Sequence, residues 1–434
     1  MELNNLLVII YIIINSIQYR NKVLIFNFLI ALLLTRGGFI TEVIRMRIQD
    51  YHFTTVYKFI ERNNWNFLLV HQTVMLTIIR ILKLKVIRLI VDDTFLFRSR
   101  KKKIPQGGYF YDHSHKPNRP EYVWGQNLIM MAAIVNIAGT SVALPVMARL
   151  LESTDKDHST GRIVTSRSMV ELTKEFLEEN RVNYGKIILL ADAFFARKNL
   201  IHEDDGLTYI VQARRDTVLY NDPPERKSHK RGRPPKYGER IITKDSDLKS
   251  ELKMFIYGKW HTIHYTYCRA RARFLNGREV MAVFMRFDEF DKIHLILSTD
   301  ITLSPVEVLQ EYSGRNLIEN TFFELKTQFG LNKQYFQHQE SYEKILYLKL
   351  WAYILLKITS TINKRTIREF VTEHLPWRIK QNNIVPVTTG VTQMVISEYL
   401  RLLDFEGFQS KVHKILKTDY HYLKKDQILC KYLN

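Results

Sequence analysis

Hydrophobic positions divide the chain into segments with different periods. Near the start lie two apolar runs, Leu6–Ile14 and Val23–Leu34, separated by polar residues between Asn15 and Lys22. Neither reaches the roughly 18–20 apolar residues that span a bilayer. No basic stretch precedes the first run and no small-residue cleavage site follows it, so a signal peptide is not expected. The runs read instead as buried helices of a helical region over residues 1–84, whose helical spacing continues in Val43, Ile44 and Met46 and in Val56, Phe59 and Ile60. Gly37 to Arg45 is a candidate DNA-reading helix, although no clean second helix and turn accompany it.

From residue 86 the pattern becomes strand-like. Val86–Val91, broken only by Arg88, stops at Asp92 and Asp93; Leu128–Val135 and Val142–Met147 predict strands on either side of a turn at Asn136 and Gly139. Val164–Glu179 is an amphipathic helix, Tyr184 and Gly185 punctuate it, and Ile187–Ala191 has the continuous apolar character of a strand buried on both faces. That strand ends in Asp192, and a helix over Phe195–Ile201 and a strand over Leu207–Ala213 are expected next. Residues 85–214 thus predict the first part of a mixed α/β core. Residues 215–291 carry Pro-Pro pairs, a dense basic run and the β-rich stretches Thr262–Cys268 and Val280–Phe287, which predict a β-rich insertion. The core resumes over 292–360 with a strand at Ile293–Ser298. A helix follows, marked by Ser304 as N-cap, Pro305 at its first position and Glu307 completing a capping box. Helices, including Ile345–Ile358, fill the remainder, with a C-terminal helical region at 361–434.

Composition narrows the function. Sixty-four Lys and Arg against forty-four Asp and Glu leave a net charge of +20. Such an excess points to a polyanion, nucleic acid ahead of a membrane surface; the plainer reading is a lysine-rich proteome. With 46% hydrophobic and 12% aromatic residues the chain has ample apolar surface to fold, and its 434 residues call for two or three domains. The two cysteines, Cys268 and Cys430, exclude a disulfide scaffold and fit a reducing, cytoplasmic compartment.

The acids at strand ends need an explanation, because an unpaired buried carboxylate is expensive. Asp92 or Asp93 closes one apolar strand and Asp192 another, and in parallel neighbours they share one sheet edge. Gathered carboxylates suit Mg²⁺, while each aspartate alone could equally cap the element that follows it. Further along, Tyr312, Arg315, Glu319 and Lys326 stand at offsets of three, seven and fourteen residues. On one continuous helix they would lie within about 60° of arc. An ordinary solvated face with an Arg315–Glu319 ion pair gives the same spacing. The set also supplies three acids for two metal ions, with a hydroxyl and two cations for phosphate oxygens, as two-metal phosphoryl transfer requires.

This spacing, Tyr312, Arg315, Glu319, Lys326, resembles the Tyr-Arg-Glu-Lys signature of the insertion-sequence-4 group of DDE transposases. Val91-Asp92-Asp93-Thr94 is similar to that family's first block, Leu190-Ala191-Asp192 to its second, and the surroundings of the signature, including Phe329-Gly330-Leu331, to its third. Asp112-His113-Ser114 and Val123-Trp124-Gly125 are similar to elements of the same enzymes, and the resemblance covers roughly residues 85–355. It implies a ribonuclease H-like mixed-sheet core with a β-strand insertion between the second acid and the Glu. It also implies cleavage of double-stranded DNA at transposon ends and attack of the freed 3′-hydroxyl on target DNA. The ligands of two Mg²⁺ ions, for which Mn²⁺ can substitute, become Asp92, Asp192 and Glu319, with Asp93 as the alternative first acid. Tyr312, Arg315 and Lys326 become phosphate or end-DNA contacts. A homodimer in the DNA complex, association with the nucleoid and no membrane attachment follow from the same resemblance. The family usually has Trp after the signature arginine; Asn316 stands there, which puts a hairpin intermediate in doubt. A derived DNA-binding protein that has lost the chemistry is the alternative, and the intact signature argues against it.

Two basic runs are candidate DNA contacts. Arg226–Arg240 contains an AT-hook-like Arg231-Gly232-Arg233-Pro234 core, and a generic phosphate-tracking loop fits it as well. Arg98, Arg100, Lys101, Lys102 and Lys103 follow the first acid closely enough to position a phosphate backbone, or form a solvated loop. His113 and His115 have His-x-His zinc spacing but lack a second ligand pair, and His113 and Ser114 more plainly shape the loop beside the site or contact DNA.

Overall fold

The computed structural model describes residues 22–35, 37–45, 52–62, 66–98, 103–111, 121–151, 158–203, 205–214, 216–225, 235–256, 258–379, 385 and 387–402. Helices α1 (Lys22–Leu34), α2 (Ile40–Arg45), α3 (Phe53–Arg62) and α4 (Phe67–Ile81) come first. Strands β1 (Val86–Phe97), β2 (Gly108–Tyr111), β3 (Tyr122–Ile137) and β4 (Thr140–Leu150) follow, then helix α5 (His158–Glu179) and strands β5 (Lys186–Ala191) and β6 (Leu207–Gln212). Strands β7 (Leu219–Tyr220), β8 (Ser250–Ile256), β9 (Lys259–Ala272), β10 (Arg278–Phe287) and β11 (His294–Ser298) precede α6 (Pro305–Ser313), a 3₁₀ turn at Gly314–Asn316 and α7 (Leu317–Gln328). Helices α8 (Gln339–Ile362), α9 (Lys364–His374) and α10 (Thr389–Leu402) complete the described chain.

All the strands join one mixed sheet in the order β2-β3-β1-β5-β6-β11-β10-β9-β7, with β4 also on β3 and β8 on β9. Among the described strands only β1, β5 and β6 run parallel, and Ile87, Leu89–Val91 and Ile187–Ala191 are buried because the sheet is covered on both faces there. This is the mixed α/β sheet of a ribonuclease H-like nuclease core. The strands of the 215–291 region are hydrogen-bonded into the same sheet through β10 and β11.

Three sequence expectations need correction. The first strand does not stop at Asp92 and Asp93 but runs on to Phe97, because β3 continues to pair with it as far as Gly125. Phe195–Ile201 forms turns and no helix. Its first backbone N–H groups are taken by the Asp192 carboxylate, which accepts from Phe194 at 2.9 Å and Phe195 at 3.3 Å. The signature helix is not continuous either: the 3₁₀ turn separates α6 from α7, and Gly314 lies so close to β3 that an added Cβ would stand 2.7 Å from Ile134 Cδ1.

The core is built around α8. It is long and apolar enough to cross a membrane, yet 89% of its most apolar window is buried inside the protein, with α1, α4 and β4 packed against it. The apolar run at Val23–Leu34 therefore becomes α1, buried against α8 and α10, with Gln393 Nε2 donating to Thr35 O at 2.9 Å. Gly37 and Gly38 lead into α2, the short helix expected after them, and are held against the end of α7. Gly37 N donates to Gln328 O at 3.2 Å, and a Cβ at Gly38 (φ +60°) would stand 1.9 Å from Phe329 O. This backbone-on-backbone contact ties the N-terminal helices to the end of α7.

Candidate active site

The last parallel pair between β1 and β5 is Val91 with Ala191, so Asp92 and Asp192 follow it directly on adjacent strands. The shared edge expected for the two acids is therefore present, although β1 goes on past it. Burial raises the pKa of Asp92 to about 7, and the negative charge of Asp192 adds to the effect, partly offset by Arg315. Burial likewise raises Asp192, against the lowering influence of Arg315 and of the Phe194 and Phe195 amides. Both groups are short of positive charge.

Alternation along β1 separates the two neighbouring aspartates. Asp92 faces the signature turn, and Arg315 Nη1 donates to its Oδ2 at 3.1 Å. Asp93 is held by Arg162, whose Nη1 lies 3.3 Å from Oδ2, and by Asn127 Nδ2, which donates to the same oxygen at 2.8 Å. The 3₁₀ turn positions Arg315 to span two elements, because its Nη2 also donates to Glu319 Oε1 at 2.7 Å, one helical turn on. Burial works against the Arg315 charge, but Tyr312, Asp92, Glu319 and Asp192 outweigh it and hold the guanidinium above the ordinary arginine value. About two turns of α7 beyond, Lys326 Nζ donates to Thr94 Oγ1 at 2.7 Å, two residues along β1 from Asp92 and on its face. Burial lowers the Lys326 pKa.

Tyr312 points elsewhere. Its hydroxyl donates to Gln212 Oε1 at 3.1 Å, and both line a cavity of about 140 Å³ between α6 and β8–β11, as do Arg315 and Asn316. The structure thus brings Arg315 and Lys326 onto the face of Asp92, joins Glu319 to it through Arg315, and sets Tyr312 at the adjoining cavity. Lys101, Lys102, Arg231 and Arg233, together with Asp112, His113, Ser114 and His115, lie outside the described residues. Arg98, read from the sequence as part of an exposed basic run, is 7% exposed and donates to Gln126 and to Leu331 O.

Residues that sequence reasoning did not single out complete the surroundings. Gln212, at the end of β6, fixes Tyr312, and Arg162 with Asn127 fixes Asp93. The strand period could have pointed to Gln212 and Asn127 alone, since Arg162 lies on α5 and all their partners are distant in the chain.

Hard carboxylate oxygens with raised pKa values suit a divalent cation, and Asp92 and Asp192 meet that description. Glu319 is the third oxygen donor within reach of Arg315, whose guanidinium neutralises the acids as they stand. Among the described residues no three His, Cys, Asp or Glu side chains already converge as a ligand cluster.

A model of the DDE superfamily endonucleases matches residues 25–269, more than half of the chain, and so includes Asp92 and Asp192 but ends before the signature turn. A comparison with curated proteins finds no match. Enzymes of that superfamily act on DNA and generally use divalent metal ions. The mixed sheet, the adjacent acids at the end of its parallel ladder and the extent of the match place this chain among the DDE superfamily endonucleases.

Proposed function

We propose that this protein is a DDE transposase of the insertion-sequence-4 type, which cleaves DNA at transposon ends and joins the freed 3′-hydroxyl to target DNA. The observation that carries the reading is that Arg315 and Lys326 reach the β1 face of Asp92, with Asp192 beside it and Glu319 joined to the group through Arg315. Asp92, Asp192 and Glu319 would hold Mg²⁺ ions, with Mn²⁺ as a substitute; the pairing of Asp93 with Arg162 supports Asp92 over Asp93 as the first ligand. Bound there, the metal supplies an activated attacking oxygen and a stabilised leaving oxygen.

The protein's own groups then have separable tasks. Arg315 has two N–H vectors committed to carboxylates and a buried Nε without a partner, so on meeting DNA it can exchange carboxylate for phosphate oxygens in the same fork geometry. Lys326, held by a neutral hydroxyl, keeps its charge available to a phosphate on the same face. Tyr312 and Gln212 shape the adjoining cavity, whose lining includes Asn316 where the family usually has Trp. A homodimer on DNA and a place in the nucleoid belong to the same proposal.

The test is cleavage of DNA carrying the flanking ends with Mg²⁺ or Mn²⁺, comparing the wild type with Asp192→Ala and Glu319→Ala. Loss of cutting in both is expected; wild-type cutting by either overturns the assignment.

A further inference from the structure

The α6 end of the signature segment is fastened to β1 by a pair that the acids do not use. Arg88 Nε donates to Glu311 Oε2 and Arg88 Nη2 to Glu311 Oε1, both at 2.6 Å. Four residues on along both elements, Arg315 meets Asp92. Arg88 and Asp92 share one face of β1, because side chains alternate along a strand, and Glu311 and Arg315 lie one turn apart on one side of the helix line. An exposed ion pair contributes little unless its geometry is ideal. Here the carboxylate is only 18% exposed and both of its oxygens are engaged.

Between these two contacts the segment lies directly on the sheet. Gly314 sits over Ile134, which the ladder sets opposite Arg88, and over Leu190, opposite Ile90; an added Cβ would stand 2.7 Å and 3.9 Å from their Cδ1 atoms. Apolar contact has no direction, so it sets how closely the turn approaches but not where along β1 it stops. A guanidinium fork on a carboxylate fixes both position and angle. Arg315 cannot fix its own place, because the Asp92 and Glu319 carboxylates that hold it are ligands of the proposed metal site and phosphate oxygens compete for its N–H groups. Further on, α7 is held separately: Glu324 accepts from Lys357 Nζ and from the Tyr353 hydroxyl of α8, each at 2.9 Å. The 3₁₀ turn thus hangs between an α7 anchored on α8 and an α6 tied to β1 through Arg88.

We propose that Arg88 and Glu311 are positioning residues: their pair sets the register of the 3₁₀ turn on β1 and so keeps Arg315 over Asp92 while the partners of Arg315 change. Both act through Arg315 and not on the reacting atoms. The inference rests on the reading of Arg315 as a phosphate-binding group of a DNA-cleaving site.

The experiment uses the full chain and Glu311→Gln, which removes the charge that holds the fork and keeps the size of the side chain. In single-turnover cleavage of end DNA with Mg²⁺ this variant is expected to cut about 10- to 100-fold more slowly, the scale of a misplacement of about 1 Å. Its DNA affinity in metal-free buffer should stay within about twofold of the wild type, since binding and chemistry are separable. The double variant E311Q/R315Q is expected to be no slower than Arg315→Gln alone, because the pair acts through Arg315. Losses that multiply, unchanged cutting by Glu311→Gln, or a loss confined to affinity overturns the inference. A second readout needs neither metal nor cleavage: the ¹⁵N guanidinium signals of Arg315, identified by their disappearance in Arg315→Gln. A guanidinium clamped by two carboxylates turns slowly and gives separate Nη signals in the wild type; in Glu311→Gln they are expected to merge. Identical signals in the two proteins overturn the inference. Should Glu311→Gln not fold, Arg88→Lys, which keeps the charge and loses the fork, replaces it in every measurement with the same directions expected. Wild-type protein that leaves DNA uncut, or cutting that survives Asp192→Ala, overturns the nuclease reading instead, and the guanidinium signals still decide what holds Arg315.

Discussion

Arg315 stands between chain-distant carboxylates, with one guanidinium nitrogen 3.1 Å from Asp92 Oδ2 and the other 2.7 Å from Glu319 Oε1. A planar fork can span two acids in this way, and a lysine ammonium cannot. Arg315→Gln is expected to lower DNA cleavage by about 10²–10³-fold, the usual loss for one preorganised donor. Arg315→Lys should recover only part of it. Single-turnover cleavage rates check both; a lysine variant as fast as wild type would show that charge alone suffices.

Asp92 and Asp93 should respond differently to neutralisation. Asn at position 92 removes a buried charge that faces Asp192, leaving Arg315 with Glu319. Asp92→Asn is therefore expected to abolish cleavage and, in metal-free buffer, to stabilise the fold by about 1–3 kcal/mol. Asp93→Asn breaks the pair with Arg162, in which the two side chains are only 17–18% exposed. It should destabilise by about 1–3 kcal/mol, with cleavage by the folded protein kept within about tenfold. Urea midpoints and cleavage rates for the two variants separate the roles.

The contact between the N-terminal helices and α7 can be tested at one glycine. Gly38→Ala puts a Cβ 1.9 Å from Phe329 O at a backbone φ of +60°. The expected loss exceeds about 3 kcal/mol, because clash and left-handed strain add. Gly139→Ala is the control: its φ is +74° but no atom lies within 4 Å of the new Cβ. Left-handed strain alone costs about 1–2 kcal/mol there. Equal losses in the two variants would mean that the Gly38 contact is absent.

His71 provides a pH dependence. It is fully buried, with Nε2 2.9 Å from Pro145 O and Nδ1 accepting from Trp351 Nε1 at 2.9 Å, and burial lowers its pKa to about 3. The unfolded chain binds a proton at this residue below about pH 6.5 and the folded chain does not, so the unfolded state gains as pH falls. The stability linked to neutral His71 is complete above about pH 6.5 and declines by about 1.4 kcal/mol per pH unit down to about pH 3. His71→Leu should lack that slope, which therefore appears in the difference between the two proteins. Urea unfolding from neutral pH to pH 5 measures it, and parallel curves for both proteins would exclude the effect.

Local chemistry made much of this protein legible in its sequence. The apolar runs at Ile187–Ala191 and Val142–Met147 became strands because their burial is dictated by composition, and Ser304, Pro305 and Glu307 formed the expected cap because all its partners lie within four residues. The spacing of Arg315, Glu319 and Lys326 marked a face, since a helix converts spacing into direction. What spacing could not supply was the partner of each side chain. That Asp92 rather than Asp93 faces Arg315 depends on the pleat of a strand held in place by β3, which also carries β1 past both acids to Phe97. That the signature breaks into α6, a 3₁₀ turn and α7 depends on Gly314 meeting Ile134, and that Arg98 is buried depends on Gln126 and Leu331. Local elements follow from residues a few positions apart, whereas an active site is assembled by contacts across hundreds of positions, and those are decided only when the sheet and its helices pack.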